Sequence, residues 1–355
     1  MICTIFGIVM IYSMTSSYGW AKYVVVQGFA MFLGIGAFVV FTVIDPDLIA
    51  DKWVYLTIFN VLFIVGLIFF GKGDEVGSRA WYRFAGIGVQ PSEIVKVIFI
   101  VLIAKQMATY KEQRTLNKFP SVLKLGIHWA LYFGLITVIP NDLGSALIFL
   151  AIFVVMLICA GIAWYWMAAA AAVVAAMIPL FWNFFLADYQ KNRILAPYIP
   201  DVVDPTGQGI TWQMNLCKDA LASGRWTGVG FGEGSFSQSS YNARHTDCVF
   251  ASIGEELGMV ACIAIIVLLS IIIIRCCVIG VRSGSPFGML ICFGVATALA
   301  FQTFINIGMC IGITPVIGIT LPFFSYGGSS IVTLFAAMGV VSGIKKRSRP
   351  EWLIN

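Results

Sequence analysis

Residues 243–258, ARHTDCVFASIGEELG, set Arg244, His245, Asp247, Glu255 and Glu256 at the threshold of a long apolar run. A carboxylate at such a boundary is partly desolvated, which raises its pKa, while a nearby cation lowers it. Asp247 is therefore a candidate general base, able to accept a proton from a weak nucleophile near neutral pH. Its structural alternative is an N-cap for the helix that the apolar run must form. Glu255 and Glu256 lie about two turns further along. Being adjacent, they point to different faces, so at least one must meet protein or a wet cavity. His245 is either a polar group at the surface or a contact for substrate.

Three further stretches carry polar chemistry: GSRAWYRFAGIGVQPSEIVK (77–96), IPNDLGSAL (139–147) and GITPVIGITLPFFSYGGSS (312–330). Glu93 and Lys96, three residues apart at the head of a helix, share a face and can pair. An ammonium group at the centre of a membrane helix costs at least ~2.5–3.5 kcal/mol, so a partner is expected. The pair either locks the helices together or serves a ligand. Pro91 suits the helix start, with Gln90 or Ser92 able to satisfy its unpaired amides. Asp142 follows a Pro-Asn break and suits an N-cap. Arg79 and Arg83, flanking bulky aromatics, suit an anion at the interface or a lipid headgroup.

Other chemistries find little support. The nine cysteines form no C-x-x-C pair and lie mostly in apolar runs, which suits small core residues rather than a metal or redox site. Two histidines, His128 and His245, are too few for a histidine metal cluster. The glycine alternation GVGFGEGS lacks the G-K-[ST] of a phosphate loop, and its glycines serve tight turns.

These residues must be positioned by membrane helices. The 355-residue chain is 60% hydrophobic and 11% charged, whereas soluble domains carry about 25% charged residues. Its mean hydropathy is +0.93. Apolar blocks of about 20 residues match a ~30 Å hydrocarbon core, and the absence of alternation excludes a barrel. Ten spans are predicted, near 2–16, 23–43, 53–70, 93–109, 123–139, 143–161, 165–186, 249–274, 287–310 and 328–344. The first lacks a basic flank and a small-residue cleavage site, so it reads as a span and not a signal peptide.

Basic residues are retained on the cytoplasmic side. With both termini inside, cytoplasmic segments hold Lys52, Lys105, Lys111, Arg114, Lys118, Lys124, Arg275, Arg282, Lys345, Lys346, Arg347 and Arg349. The short outer loops hold Lys22, Lys72, Arg79 and Arg83, a bias of about three to one. The connection 187–248 then lies outside. At that length it is expected to be functional, and its aromatics and the amphipathic WQMNLCKDALAS suggest an ordered cap. All four polar stretches converge on the outer face in this topology.

At these residues the sequence resembles the SEDS family of RodA, FtsW and SpoVE proteins, over nearly the whole chain. GIVMIYSMTS resembles the family's first helix, and RAWYRFAGIGVQPSEIVK its R-W…QPSE-x-x-K motif. YQKNRI, GQGITWQ and GRWTGVGFGEG match its large outer loop. HTDCVFASIGEELG resembles H-T-D-F-x-F-A…E-E-x-G, with Cys248 in place of the usual Phe, and NIGMCIGITPVIGITLPFFSYGGSS matches the last signature almost letter for letter. Pro140-Asn141-Asp142-Leu143-Gly144-Ser145 stands where the family reads Q-P-D-L-G-T.

The resemblance implies an all-α membrane protein, a single polytopic domain over 1–355, in the bacterial cytoplasmic membrane. It implies a peptidoglycan glycosyltransferase that polymerises lipid II, with undecaprenyl pyrophosphate as leaving group and a class B penicillin-binding protein as partner. Membrane lipids, not nucleic acid, surround it. Asp247 would be the catalytic aspartate. Arg79, Arg83, Lys96 and Arg193 would offset diphosphate charge, with Glu93 holding Lys96. Gln90, Asp142, His245, Glu255, Ser325 and Ser329 complete the substrate-binding candidates. A divalent cation could share the charge-offsetting role, but the sequence names no site for it. The rival reading is a flippase for the lipid-linked precursor, and a third is a scaffold that recruits a transpeptidase.

Overall fold

The computed structural model describes residues 1–16, 19–71, 79–84, 87–239 and 241–348. Lys72 and Arg349, used above for orientation, lie outside the described residues. In chain order the helices are α1 (Ile2–Thr15), α2 (Trp20–Val43), α3 (Pro46–Ala50), α4 (Trp53–Val65) and α5 (Leu67–Phe70). A hairpin of β1 (Tyr82–Phe84) and β2 (Ile87–Val89) precedes α6 (Pro91–Glu112), α7 (Phe119–Val138), α8 (Leu143–Ala160) and α9 (Trp164–Leu180). The long connection contains α10 (Asp188–Leu195), α11 (Pro200–Val203) and α12 (Trp212–Gly224), and the chain ends with α13 (Val249–Val281), α14 (Pro286–Ile311) and α15 (Gly328–Arg347).

Among the described residues, eight helices are long and apolar enough to cross a membrane; α4 with α5, and α9 with the π turn after it, each count as one. Two of the ten expected spans differ in kind. Helix α1 has 14 residues, about 21 Å of rise. Helix α6 has the length but carries Glu93, Lys96, Lys105, Lys111 and Glu112; Glu93 and Lys96 are buried against protein, while Lys111 and Glu112 are exposed at its far end. The hairpin had no counterpart in the sequence reading. Tyr82 anchors it by donating to the Phe63 carbonyl at 2.8 Å.

Among the described residues, α15 makes its most extensive helix contact with α2. A Cβ on Gly339 would stand 2.6 Å from the Phe38 carbonyl oxygen, so only glycine allows the backbones to come so close. Phe99, Tyr132 and Phe149 fill the interface of α6, α7 and α8 with fully buried rings. Helix α9 is apolar all round and buries no residue, as befits a helix surrounded by lipid.

The expected cap is ordered. Helix α12 covers WQMNLCKDALAS and buries Met214, Cys217 and Ala220 against its neighbours. The predicted span 249–274 is longer than expected and interrupted: Gly258 takes φ 77°, ψ −177° inside α13. Loop backbone fills the break. Val229 and Gly230 amides donate to the Glu255 and Glu256 carbonyls at 2.9 and 3.1 Å, while Met259 and Val260 amides donate to Arg225 and Trp226 at 2.9 and 3.3 Å. The glycine alternation serves this graft, since Gly228 at φ 83° lies against the Glu256 carbonyl where no side chain fits.

Candidate active site

Asp247 stands between a 3-10 turn (Asn242–His245) and α13, half-buried. The N-cap position of α13 falls on Cys248, not on Asp247. Three hydrogen bonds hold the backbone around the aspartate. The Tyr326 amide donates to the His245 carbonyl at 2.9 Å, the Ser325 hydroxyl to the Thr246 carbonyl at 2.6 Å, and the Asn306 Nδ2 to the Asp247 carbonyl at 2.7 Å. The same Asn306 amide donates to the Ile319 carbonyl at 2.7 Å, tying the aspartate to the 312–327 turn. Gln27, wholly buried in α2, clamps that turn from the other side. Its Nε2 donates to the Ser325 carbonyl at 3.0 Å and its Oε1 accepts from the Gly327 amide at 3.1 Å. Gly318, at φ 78°, faces the carboxylate: a Cβ there would lie 3.5 Å from the Asp247 Oδ2.

The other two polar stretches join the same rim. Asp142 caps α8, its Oδ1 accepting from the Ser145 amide at 2.8 Å, as its type and place predicted. Its Oδ2 accepts from Gln90 Nε2 at 3.1 Å. The Gln90 amide donates to Ser329 Oγ at 3.2 Å, so β2, α8 and α15 meet at their ends. Gly144 packs on Ile317 and Ile319 of the turn that faces Asp247. Arg79 and Arg83 are exposed, one beside the hairpin and one on it, and that hairpin leads directly into Gln90.

Several candidates are bonded within the protein, Lys96 to Glu93 as expected. Lys96 is 4% exposed with its Nζ 2.9 Å from both Glu93 oxygens. Gln302 and Thr333 approach the same carboxylate at 3.4 and 3.5 Å, beside a cavity of about 20 Å3, room for a water molecule. The Lys96 charge is thus met inside the bundle. Glu255, expected at the substrate, organises the loop: its oxygens accept from the Phe236 and Ser237 amides at 2.9 Å each and from Ser235 Oγ at 3.1 Å. It is 1% exposed because a carboxylate so fully bonded tolerates burial. Glu256 accepts from Ser13 Oγ at 2.6 Å, fixing α1 to the broken helix.

Arg244 is likewise buried, donating through Nε to the Met14 and Ser237 carbonyls and through Nη1 to that of Tyr241. His245 lies at the edge of the Tyr23 and Tyr326 rings, with centroids 4.9 and 5.5 Å away. Burial, helped by the Arg244 charge, lowers its pKa to about 4, so the ring is neutral at pH 7. Both sit behind the aspartate and shape its loop. Gln27 and Asn306 escaped the sequence reading as site residues. The signal was there: each is an amide side chain within an apolar span, where polar atoms need a partner.

Beside the rim opens a cavity of about 210 Å3 whose lining includes Arg193, Gln213, Tyr241 and Val316. Gln213 Nε2 lies 3.2 Å from Cys248 Sγ, which places this wall next to Asp247. Among the described residues no three His, Cys, Asp or Glu side chains gather where they could hold a metal. The divalent cation considered from the sequence has no all-protein site in this set.

The profile of the FtsW, RodA and SpoVE cell cycle proteins matches residues 1–350. The peptidoglycan glycosyltransferase MrdB of Escherichia coli K12 is 32% identical over 318 residues, 88% of this chain and 82% of its own. The FtsW of Geobacter metallireducens is 30% identical over 358 residues, 98% of this chain and 92% of its own. In fold, the chain superposes with a TM-score of 0.82 on one from a peptidoglycan synthase complex, at 24% identity and covering 99% and 96% of the two. RodA of Thermus thermophilus superposes at 0.72 with 21% identity, covering 99% and 95%. The family profile spanning nearly every residue, and relatives of 30% identity or more along most of the chain, show that it belongs to the SEDS family of FtsW, RodA and SpoVE proteins.

Proposed function

We infer that this SEDS peptidoglycan glycosyltransferase, which polymerises glycan strands, uses Asp247 as the general base of the reaction. The observation that carries the reading is the meeting of four separate polar stretches at one rim, with a half-buried carboxylate beside an open cavity. In the step proposed, the 4-hydroxyl oxygen of an acceptor N-acetylglucosamine attacks the anomeric carbon of the donor sugar. Its proton passes to Asp247 as the carbon–oxygen bond forms. The bond from that carbon to undecaprenyl pyrophosphate breaks, the leaving group takes the electron pair, and inversion gives a β-1,4 link. Arg79, Arg83 and Arg193, all exposed, are the cations assigned to the diphosphate in this reading.

Lipid II is the substrate in this reading, a class B penicillin-binding protein the partner, and the bacterial cytoplasmic membrane the site. Helices α1 and α6 complete ten spans with both termini inside. Support comes from the opposite end of the bundle, where Lys105 meets Asp47 at 2.7 Å and Arg347 lies 3.9 Å from Asp45, gathering basic residues away from the Asp247 rim. A transporter would need paired interrupted helices that move. The interruption at Gly258 is instead filled by loop backbone and gives that reading no support.

The test is polymerisation of lipid II by the purified protein with its transpeptidase partner. Asp247→Ala should lower the rate by about 10²–10⁴ while folding and partner binding persist. Polymer made at the wild-type rate by the variant removes Asp247 from the mechanism.

A further inference from the structure

We propose that the cavity walled by Tyr189, Trp212 and Tyr241 is a saccharide subsite, holding one pyranose ring of the glycan next to the bond being made. The proposal rests on the glycosyltransferase reading above and adds a place for the sugar. Trp212 and Tyr241 meet edge to face, centroids 5.0 Å apart and planes at 86°, so two aromatic surfaces form a corner. Tyr189, on α10, supplies a third ring, and Arg193, one turn further along that helix, a cation.

The lining fits a sugar better than a lipid. A pyranose presents apolar C–H faces and hydroxyl edges, and it asks for flat apolar walls with polar groups between them. Here the lining adds the Gln213 amide and the Arg193 guanidinium to the rings, with Gly209, Ile210 and Val316 completing it. The volume, about 210 Å3, suits a single ring and its substituents. An acyl chain would instead want a continuous aliphatic slot. Position agrees with composition. Every wall but Val316 comes from the 187–248 connection, outside the spanning helices. The subsite touches the reaction rim at two points: Gln213 bonds Cys248 Sγ at 3.2 Å, and Val316 lies two residues from the glycine that faces the Asp247 carboxylate. Tyr241 senses the same neighbourhood. Burial raises its pKa and the Asp247 charge adds to the rise.

The experiment uses the purified complex with its transpeptidase partner, steady-state kinetics with lipid II, and chitotetraose as a probe that has neither lipid nor diphosphate. Chitotetraose is expected to inhibit wild-type polymerisation competitively. Trp212→Ala should raise the KM for lipid II and weaken that inhibition, each by about tenfold, with kcat little changed, and Trp212→Phe should restore most of both. Tyr189→Ala, at a residue 55% exposed on a short helix, gives the same test without touching the core. Unchanged KM and unchanged inhibition in Tyr189→Ala and a folded Trp212 variant would overturn the subsite while leaving Asp247 in place. Absence of inhibition in the wild type also overturns it. A wild type that makes no polymer, yet binds chitotetraose through Trp212, would instead strike the glycosyltransferase reading alone.

Discussion

Asn306→Leu isolates the contribution of backbone placement to catalysis. The change keeps the side-chain size and removes both donations of the Asn306 amide, to the Asp247 and Ile319 carbonyls at 2.7 Å each. Asn306 is fully buried, so water cannot readily replace what is lost. Each carbonyl left without its donor costs about 1–3 kcal/mol, a total of roughly 2–6 kcal/mol shared between stability and the geometry of the rim. Because the Asp247 loop keeps its bonds from Ser325 and Tyr326, the loop should shift and not unfold. Misplacement of a catalytic group by about 1 Å can cost 10²-fold. The expected outcome is therefore a fall of about 10² in kcat with KM for lipid II within about twofold, since no cavity wall changes. The assay is polymerisation with the purified complex, alongside thermal denaturation to confirm a folded protein. A folded Asn306→Leu variant with wild-type kcat would refute the claim that this amide sets the aspartate.

Two further outcomes follow from buried titratable groups. Lys96→Met should cost about 3–5 kcal/mol because it strands the Glu93 carboxylate in the bundle, whereas Glu93→Leu with Lys96→Met should recover most of the melting temperature. If the pair is structural, polymerisation recovers with stability in the double variant; a folded, inactive double variant would place Lys96 at the substrate. His245, neutral in the fold with a pKa of about 4 against an ordinary value of 6.5, makes the unfolded chain bind more protons between those values. Stability should then fall as pH drops from about 6.5 to 4, by up to roughly 3 kcal/mol. His245→Phe should flatten that segment of a melting-temperature profile, and an unchanged slope would show that other groups cause it.

Much of the scaffold was legible in the chain. Spanning segments announce themselves because a backbone crossing lipid must be helical and apolar for about 20 residues, a requirement each segment meets by itself. The cap at Asp142 and the Glu93–Lys96 pair were equally readable, since their partners lie three residues away. Expectation diverged from structure where the partner is remote. Glu255 looked like a ligand contact because a carboxylate in an apolar run invites one, yet its donors are amides 18 and 19 residues earlier, in the cap. Arg244 and His245, next to the aspartate in sequence, turn into the protein.

The sequence alone determined that the chain is a multi-pass membrane protein, that its polar residues fall in four stretches, and that Asp247 stands at the edge of a span. These follow from transfer free energy and helical period, which act over a few turns. Tertiary structure decided which polar atoms are already satisfied and which face an opening. Gln27 finds Ser325 across 298 residues, Asn306 finds Asp247 across 59, and the break at Gly258 is filled by a loop some 30 residues earlier. Buried hydrogen-bonding groups must be paired, but the chain does not state with whom; packing settles that.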